Sequence, residues 1–227
     1  MGKVRHVTAE EHAEVTAAVG KAEQSTDGEI VTIVAGQSDD YRETPVILAV
    51  AALFAYLAAI AIFPQFFMNL LTVLSGGWEH DYRPAEYQTI ILLSGAAIYV
   101  LAYLLFAWTP LRIALTAKSK REARVRQRAI ELFKVGAERR TMGLTGILIY
   151  LSMAEHRAEI VADDAIVGKV SSDVWGEAMA ALILEVKQGK AGAGMVAAVE
   201  QVGKVLAEHF PKSEGNPNEL PDRLIEL

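Results

Sequence analysis

The sequence has no cysteine, and its five histidines are scattered along the chain. Without a thiol, the protein cannot form a disulfide, a thiolate zinc site, an iron–sulfur cluster or a cysteine nucleophile. No two histidines stand three or four residues apart, so the spacing that places two imidazoles on one helical face for a metal is also missing. These absences exclude several classes of zinc and thiol enzyme.

An excess of basic residues is missing too. The chain has 22 Lys and Arg against 28 Asp and Glu, which gives a formal net charge of -6. Proteins whose main partner is nucleic acid usually carry a basic surface that contacts the phosphates. The charge balance therefore argues against nucleic acid as a partner.

Charge is absent altogether from two long stretches. All 18 residues from 46 to 63 are apolar or aromatic. As a helix they would rise about 27 Å, close to the roughly 30 Å hydrocarbon core of a bilayer. Residues 89–108 also carry no charge, and they end with Trp108, an aromatic suited to the membrane interface, shortly before Pro110. The two runs predict a transmembrane hairpin within residues 45–111.

The alternative for these runs is a pair of helices buried in a soluble core. Uncharged runs of this length are transmembrane candidates by default, which favours the membrane. A third apolar run, residues 66–74, follows Pro64 and is either the kinked end of the first span or an interfacial segment. The sequence leaves these two interpretations open.

The orientation of the hairpin follows from its flanking basic residues, which are more frequent on the cytoplasmic side of membrane proteins. The loop between the spans, residues 75–88, contains a single basic residue, Arg83, with acidic and aromatic neighbours. The exit of the second span is crowded with Arg112, Lys118, Lys120, Arg121, Arg124, Arg126 and Arg128. We therefore expect an inner-membrane protein with both termini in the cytoplasm and with the lipid bilayer as a partner.

The segments on either side of the hairpin predict parts of an α/β domain. Thr8 and Glu11 form a capping-box pattern at the start of a first helix. The run Glu29–Ala35 is rich in Ile, Val and Thr, as expected of a strand. After the membrane, residues 146–152 and 158–162 predict a β-hairpin, with a helix before it and two helices after it.

A lone strand cannot bury both of its edges, so the strand before the membrane is expected to join the hairpin strands in one sheet. The predicted domain then consists of residues 6–38 and 118–210, interrupted by the transmembrane hairpin. Residues 211–227 are rich in Pro, Asn, Ser and Glu, which predicts a flexible C-terminal tail.

Three stretches resemble the TPM domain family. Residues 22–31, AEQSTDGEIV, are similar to the opening of that domain, and residues 145–152 and 157–163 are similar to its central strands. The resemblance implies an α/β/α sandwich, and some members of the family bind calcium or have been assigned acid phosphatase activity. This chain has Ala162-Asp163-Asp164-Ala165 where the family has a glycine on each side of its acidic loop.

Four acidic residues at predicted strand ends are candidate metal ligands: Asp27, Glu29, Asp163 and Asp164. Carboxylate oxygens that converge on one edge of a sheet can hold Ca²⁺ or Mg²⁺, and such a metal can activate water for phosphate hydrolysis. The alternative is that these side chains only cap turns and strand ends. No pattern indicates an organic cofactor, and the sequence identifies no catalytic residue.

Two functions remain open at this stage. The first is a membrane-anchored interaction or assembly module of the TPM type at the cytoplasmic face, with another membrane protein or complex as its partner. The second is a divalent-metal-dependent acid phosphatase. Transport is disfavoured because the predicted spans contain no charged residue.

Overall fold

The structure is a computed structural model that describes residues 7–74, 76, 83–136, 145–213 and 220–227. The chain divides into two compact units, one formed by residues 1–40 and 118–227 and the other by residues 41–117. We call these the α/β unit and the helical unit. Most of the predicted loop between the spans, at positions 75 and 77–82, lies outside the described residues.

Helices dominate both units. In chain order they are α1 (Ala9–Glu23), α2 (Glu43–Ile62), α3 (Pro64–Leu74), α4 (Pro84–Phe106), α5 (Thr109–Leu115), α6 (Lys118–Gly136), α7 (Asp164–Val167), α8 (Trp175–Val186) and α9 (Ala191–His209), with a short 3-10 helix at Ser172–Val174. The strands are β1 (Glu29–Ala35), β2 (Gly146–Ser152), β3 (Arg157–Ala162) and β4 (Ile225–Glu226).

The first helix begins as its sequence predicts. The Thr8 hydroxyl accepts a hydrogen bond from the backbone N–H of Glu11 (3.2 Å), and the Glu11 carboxylate accepts one from the N–H of Thr8 (2.8 Å). This capping box satisfies two N–H groups that have no partner inside the helix. Val15 and Val19 then recur on one helical face, and both are fully buried.

One four-stranded sheet joins the two halves of the α/β unit, in the order β3-β2-β1-β4. Strand β1 runs parallel to β2 along its whole length, from the pair Glu29 and Gly146 to the pair Ala35 and Ser152. Strand β3 returns antiparallel to β2 as a hairpin. The predicted pairing of the strand before the helical unit with the strands after it is confirmed.

Helices cover both faces of this sheet because successive side chains of a strand point to opposite sides. Ile30 and Val34 of β1 pack in a cluster with residues of α1, α8 and α9. Val31 and Ile33 pack instead with Val125, Ala129 and Phe133 of α6. The mixed α/β fold expected from the sequence is therefore confirmed, and its core has two halves.

The C-terminal segment corrects a prediction. Residues 220–227, assigned above to a flexible tail, contain the strand β4, which pairs in parallel with Ile33 and Val34. Leu220 and Leu224 are 6% and 3% exposed and belong to opposite halves of the core. The polar composition of residues 211–219 concealed these two apolar anchors, which outweigh the ordering cost of a short segment.

The helical unit contains two helices that are long and apolar enough to cross a membrane, α2 and α4. Its first helix ends at Phe63, whose backbone leaves the helical conformation, and Pro64 opens a separate helix, α3. Residues 66–74 lie in α3, directly after the break at Phe63, and both interpretations left open for them stay predictions. Helices α2 and α4 are joined where the Tyr56 and Ser94 hydroxyls share a hydrogen bond.

We predict that the α/β unit folds without the helical unit. The Arg124 guanidinium lies 2.9 Å from the Asp39 carboxylate, so the loop after β1 is already held to α6 within this unit. A protein in which a short Gly-Ser linker connects Asp40 to Lys118 should be soluble and should unfold cooperatively in urea. A matched version ending at residue 219 should be less stable because it lacks β4. Aggregation of the linked protein under all refolding conditions would show that the two halves need the helical unit.

Candidate functional site

The four acidic residues predicted as metal ligands lie at one end of the sheet. Strands β1 and β2 begin there, since Glu29 pairs with Gly146. Strand β3 ends there, since Ala162 pairs with Ile147. Asp27 and Glu29 therefore share this acidic end with Asp163 and Asp164, although β2 lies between the two pairs.

Asp163 closes the end of the β-hairpin. Its carboxylate accepts a hydrogen bond from the N–H of Gly146 (3.0 Å), and its own N–H donates to the Gly146 carbonyl (2.9 Å). The side chain is 5% exposed. Asp164, in contrast, is exposed in the first turn of α7, where its negative charge interacts favourably with the helix dipole.

Asp27 and Glu29 hold the C-terminal part of the chain. The Glu29 carboxylate is buried and accepts a hydrogen bond from the N–H of Leu220 (3.2 Å). The Asp27 carboxylate accepts one from the N–H of Ser213 (2.9 Å), and the Asp27 carbonyl accepts one from the Thr145 hydroxyl (2.9 Å). Three of the four predicted ligands thus bind backbone N–H groups.

Within the described ranges, no three Asp, Glu, His or Cys side chains are grouped closely enough to hold a metal ion. Both predicted pairs nevertheless lie at the same end of the strands. A Ca²⁺ or Mg²⁺ site at Asp27, Glu29, Asp163 and Asp164 stays a prediction.

A buried carboxyl group that the sequence did not reveal lies beside this end. Glu23, the last residue of α1, is 6% exposed, and its Oε1 accepts a hydrogen bond from the N–H of Ile30 (2.7 Å). Its Oε2 is buried without a hydrogen-bond partner among the described residues. Burial raises the pKa of Glu23 to about 8, and the negative charges of Glu29 and Asp222 add to the effect. Glu23 is therefore mostly protonated at neutral pH.

The opposite end of the sheet carries a second polar cluster, at the carboxyl ends of the parallel strands β1 and β2. The Ser38 hydroxyl donates to the Ser152 hydroxyl (2.8 Å) and lies 2.9 Å from that of Tyr150. The Ser152 hydroxyl donates in turn to the carboxylate of Glu155, which also accepts from the N–H of Ser38 (3.0 Å). These bonds tie the loop after β1 to the turn of the β-hairpin.

The sequence did not reveal this cluster, because Glu155 stands in the polar turn between the two strands of the predicted β-hairpin. Glu155 is in fact 4% exposed. Burial raises the pKa of Tyr150 above its ordinary value, so its hydroxyl stays protonated and can donate. In sheets with parallel strands, ligands usually bind outside the carboxyl ends of the strands, and that rule was the available signal.

A small cleft of about 160 Å³ adjoins the cluster, lined by Ser38, Asp39, Arg124, Gln127, Arg128 and Glu131. Its two arginines are already ion-paired, Arg124 with Asp39 (2.9 Å) and Arg128 with Glu131 (3.5 Å). The cleft therefore combines balanced charges with one hydroxyl group.

Further ion pairs connect α6 with β3 in the α/β unit. Arg126 lies 3.6 Å from Glu159 of β3, and Glu122 of α6 accepts Arg157 of β3 at 2.9 Å. Burial raises the pKa of Glu159, and the positive charges of Arg126 and Arg157 oppose that increase. The basic run that predicted the membrane orientation thus also fastens α6 to the sheet.

Comparison with known proteins agrees with this architecture. Residues 109–205 match the TPM domain. This part of the chain is a TPM domain. The match includes β2, β3 and the helices α6 to α9, whereas β1 lies before it and completes the same sheet.

A solved structure supports the fold of the chain. The chain resembles the NMR structure of the BA42 protein from the psychrophilic bacterium Bizionia argentinensis with a TM-score of 0.57 and 20% sequence identity. The similarity covers 100% of this chain and 99% of the other. No curated protein sequence matches the chain.

We predict that Glu23→Gln stabilises the protein with a characteristic pH dependence. Glutamine keeps the oxygen that accepts from Ile30 and cannot ionise. The raised pKa of Glu23 means that the wild type loses stability as pH rises from about 4.5, its ordinary value, to about 8. The advantage of the variant should therefore be absent below pH 4 and reach on the order of 5 kcal/mol at pH 9. Thermal unfolding of the full chain in detergent across this range measures it. Glu14→Gln, an exposed change on the same helix, is the control and should show no such trend.

Proposed function

We propose that this TPM-domain protein is a membrane-anchored interaction or assembly module that acts at the cytoplasmic face of the inner membrane, with another membrane protein or complex as its partner. The observation that carries the proposal is the apolar surface of α2 and α4. Only 17% of the most apolar 18-residue window of α2, and 6% of that of α4, is buried inside the protein.

Large side chains on these helices point outward, among them Phe54 at 66% exposure and Leu92 at 70%. A contiguous apolar surface of this extent is unfavourable in water and marks a site of contact with lipid or protein. In a bilayer the same side chains contact lipid hydrocarbon and not water, which is favourable. This supports a membrane location for the helical unit.

The cytoplasmic orientation rests on the basic residues around α5 and α6, from Arg112 to Arg128, against the lone Arg83 before α4. Their ion pairs with the α/β unit do not weaken the argument, because topology is set during insertion, before that unit is complete. Two spans return the chain to its starting side.

The interaction role is supported by how the acidic residues are used. Asp27, Glu29 and Asp163 each accept hydrogen bonds from backbone N–H groups, as structural caps do. The alternative function is a divalent-metal-dependent acid phosphatase. It is favoured by the position of all four predicted ligands at one end of the sheet.

The anchoring proposal predicts that the full chain resists alkaline carbonate extraction and that reporters at both termini stay cytoplasmic. A GFP fusion at either terminus should be fluorescent, and an alkaline phosphatase fused there should be inactive. Alkaline phosphatase inserted at position 80 should be active and serves as the internal control. An active phosphatase at the C-terminus would overturn the cytoplasmic assignment.

The two functions are separated by calcium and phosphate assays on the purified full chain. If the module binds no metal at the acidic end, calorimetric titration with Ca²⁺ or Mg²⁺ should give no heat beyond dilution. The phosphatase alternative predicts binding, together with metal-dependent phosphate release from a generic ester, and both should fall in Asp163→Asn. Glu10→Gln, an exposed change in the first turn of α1, should leave both unchanged.

A further inference from the structure

The helical unit contains an open groove of about 500 Å³ between α2 and α4. Gly95 forms its floor, because the absence of a side chain lets α2 approach closely. A Cβ atom at this position would lie 3.2 Å from Leu53 Cδ1. Leu57, Leu92 and Ala96 line the walls, and nearly the whole surface is apolar.

Two polar side chains also face this groove, Gln88 and Tyr99. Neither has a hydrogen-bond partner among the residues that the structure describes. Tyr99 lies seven residues before the end of α4 at Phe106, which places it about 10 Å inside that end of the helix. Its hydroxyl is therefore at the depth of hydrocarbon when α4 spans a bilayer.

Tyr56, which also lies in the middle of the hairpin, differs from Tyr99 because its hydroxyl has a partner. Tyr56 on α2 shares a hydrogen bond with the Ser94 hydroxyl on α4. A hydroxyl left without a partner in hydrocarbon costs free energy because lipid chains offer neither donor nor acceptor. The Tyr99 side chain is half-buried, and its hydroxyl has no hydrogen-bond partner among the described residues, which indicates that a protein partner covers the groove.

The polar groups in the groove identify what kind of partner fits. A phenol and a primary amide can each donate and accept a hydrogen bond, so each can pair with a copy of itself. The groove contains no charged residue, so symmetric pairing brings no like charges together. Two chains inserted with the same orientation place Tyr99 at equal depth, and Gln88 likewise.

We propose that the groove is a homodimer interface in which the α2 and α4 hairpins of two copies of this chain pack face to face as a four-helix arrangement within the membrane. The two-fold axis runs along the membrane normal beside Tyr99, as expected of an isologous interface. Ala96, a small residue exposed in the groove, allows the close approach that drives association of helices in lipid. This inference rests on the proposed membrane anchoring.

The absence of cysteine makes the test direct, because single cysteines can be introduced into the native sequence. Ala96→Cys lies in the groove. Its neighbour Ala97→Cys is also exposed, at nearly the same depth, but does not line the groove. A short bismaleimide applied to membranes containing the full chain should cross-link Ala96→Cys into dimers several-fold more efficiently than Ala97→Cys.

A second measurement uses two differently tagged copies expressed together, with capture of one by the other after mild detergent extraction. Ala96→Trp should abolish capture by filling the groove, and Ala97→Trp should retain it. Tyr99→Phe should weaken association about threefold, the typical effect of one hydrogen bond between membrane helices.

Equal cross-linking at both positions, or capture unaffected by Ala96→Trp, would overturn the dimer interface. The same membranes are extracted with alkaline carbonate, which separates the two proposals. A chain that stays in the membrane without dimerising contradicts only the interface. A chain released by carbonate contradicts the membrane anchoring and the interface together.

Discussion

The parallel pairing of β1 with β2 is the interaction on which the rest of the structure depends. It joins two segments that the helical unit separates in sequence, and it buries both faces of β1 between α6 and the layer of α1, α8 and α9. Parallel neighbours need a long crossover connection, and helices usually provide it. Here the crossover contains the whole helical unit as well as α6. A membrane insertion at this position is compatible with the sheet only if the chain returns to the side from which it left.

Charged residues mainly connect strand ends, loops and α6 within the α/β unit. Carboxylates at the start of β1 and the end of β3 bind backbone N–H groups that would otherwise have no partner, which is the common fate of Asp near strand ends. At the other end, Glu155 does the same for Ser38. The arginines of α6 form ion pairs with β3 and with the loop after β1. Exposed pairs of this kind contribute little to stability individually, so their effect is chiefly to set the position of α6.

The sequence predicted those parts of the fold that depend on local patterns. The bounds of β1 and β2 follow from runs of branched apolar residues, and the start of α1 follows from the capping box of Thr8 and Glu11. It could not predict features that depend on distant contacts. From the sequence, Leu224 belongs to a polar tail, and only the pairing of β4 with β1 shows that the segment is ordered. Glu23 looks like an ordinary surface residue, and only the tertiary structure shows that it is buried near Glu29 and Asp222. The positions of the acidic residues at one end of the sheet required only strand directions, whereas their hydrogen bonds to Ser213 and Leu220 required the tertiary structure.

The place of β1 in the sheet has a consequence for biosynthesis. Its neighbour on one side is made only after both long apolar helices have left the ribosome, and its neighbour on the other side is made last of all. Domains generally fold as units, and the N-terminal parts of a chain emerge first. Both edges of strand β1 therefore stay unpaired until the intervening helices have been made. If α2 and α4 span a membrane as proposed, the sheet can be completed only when both have inserted, because a chain with a single inserted span would leave the two parallel strands on opposite sides of the bilayer.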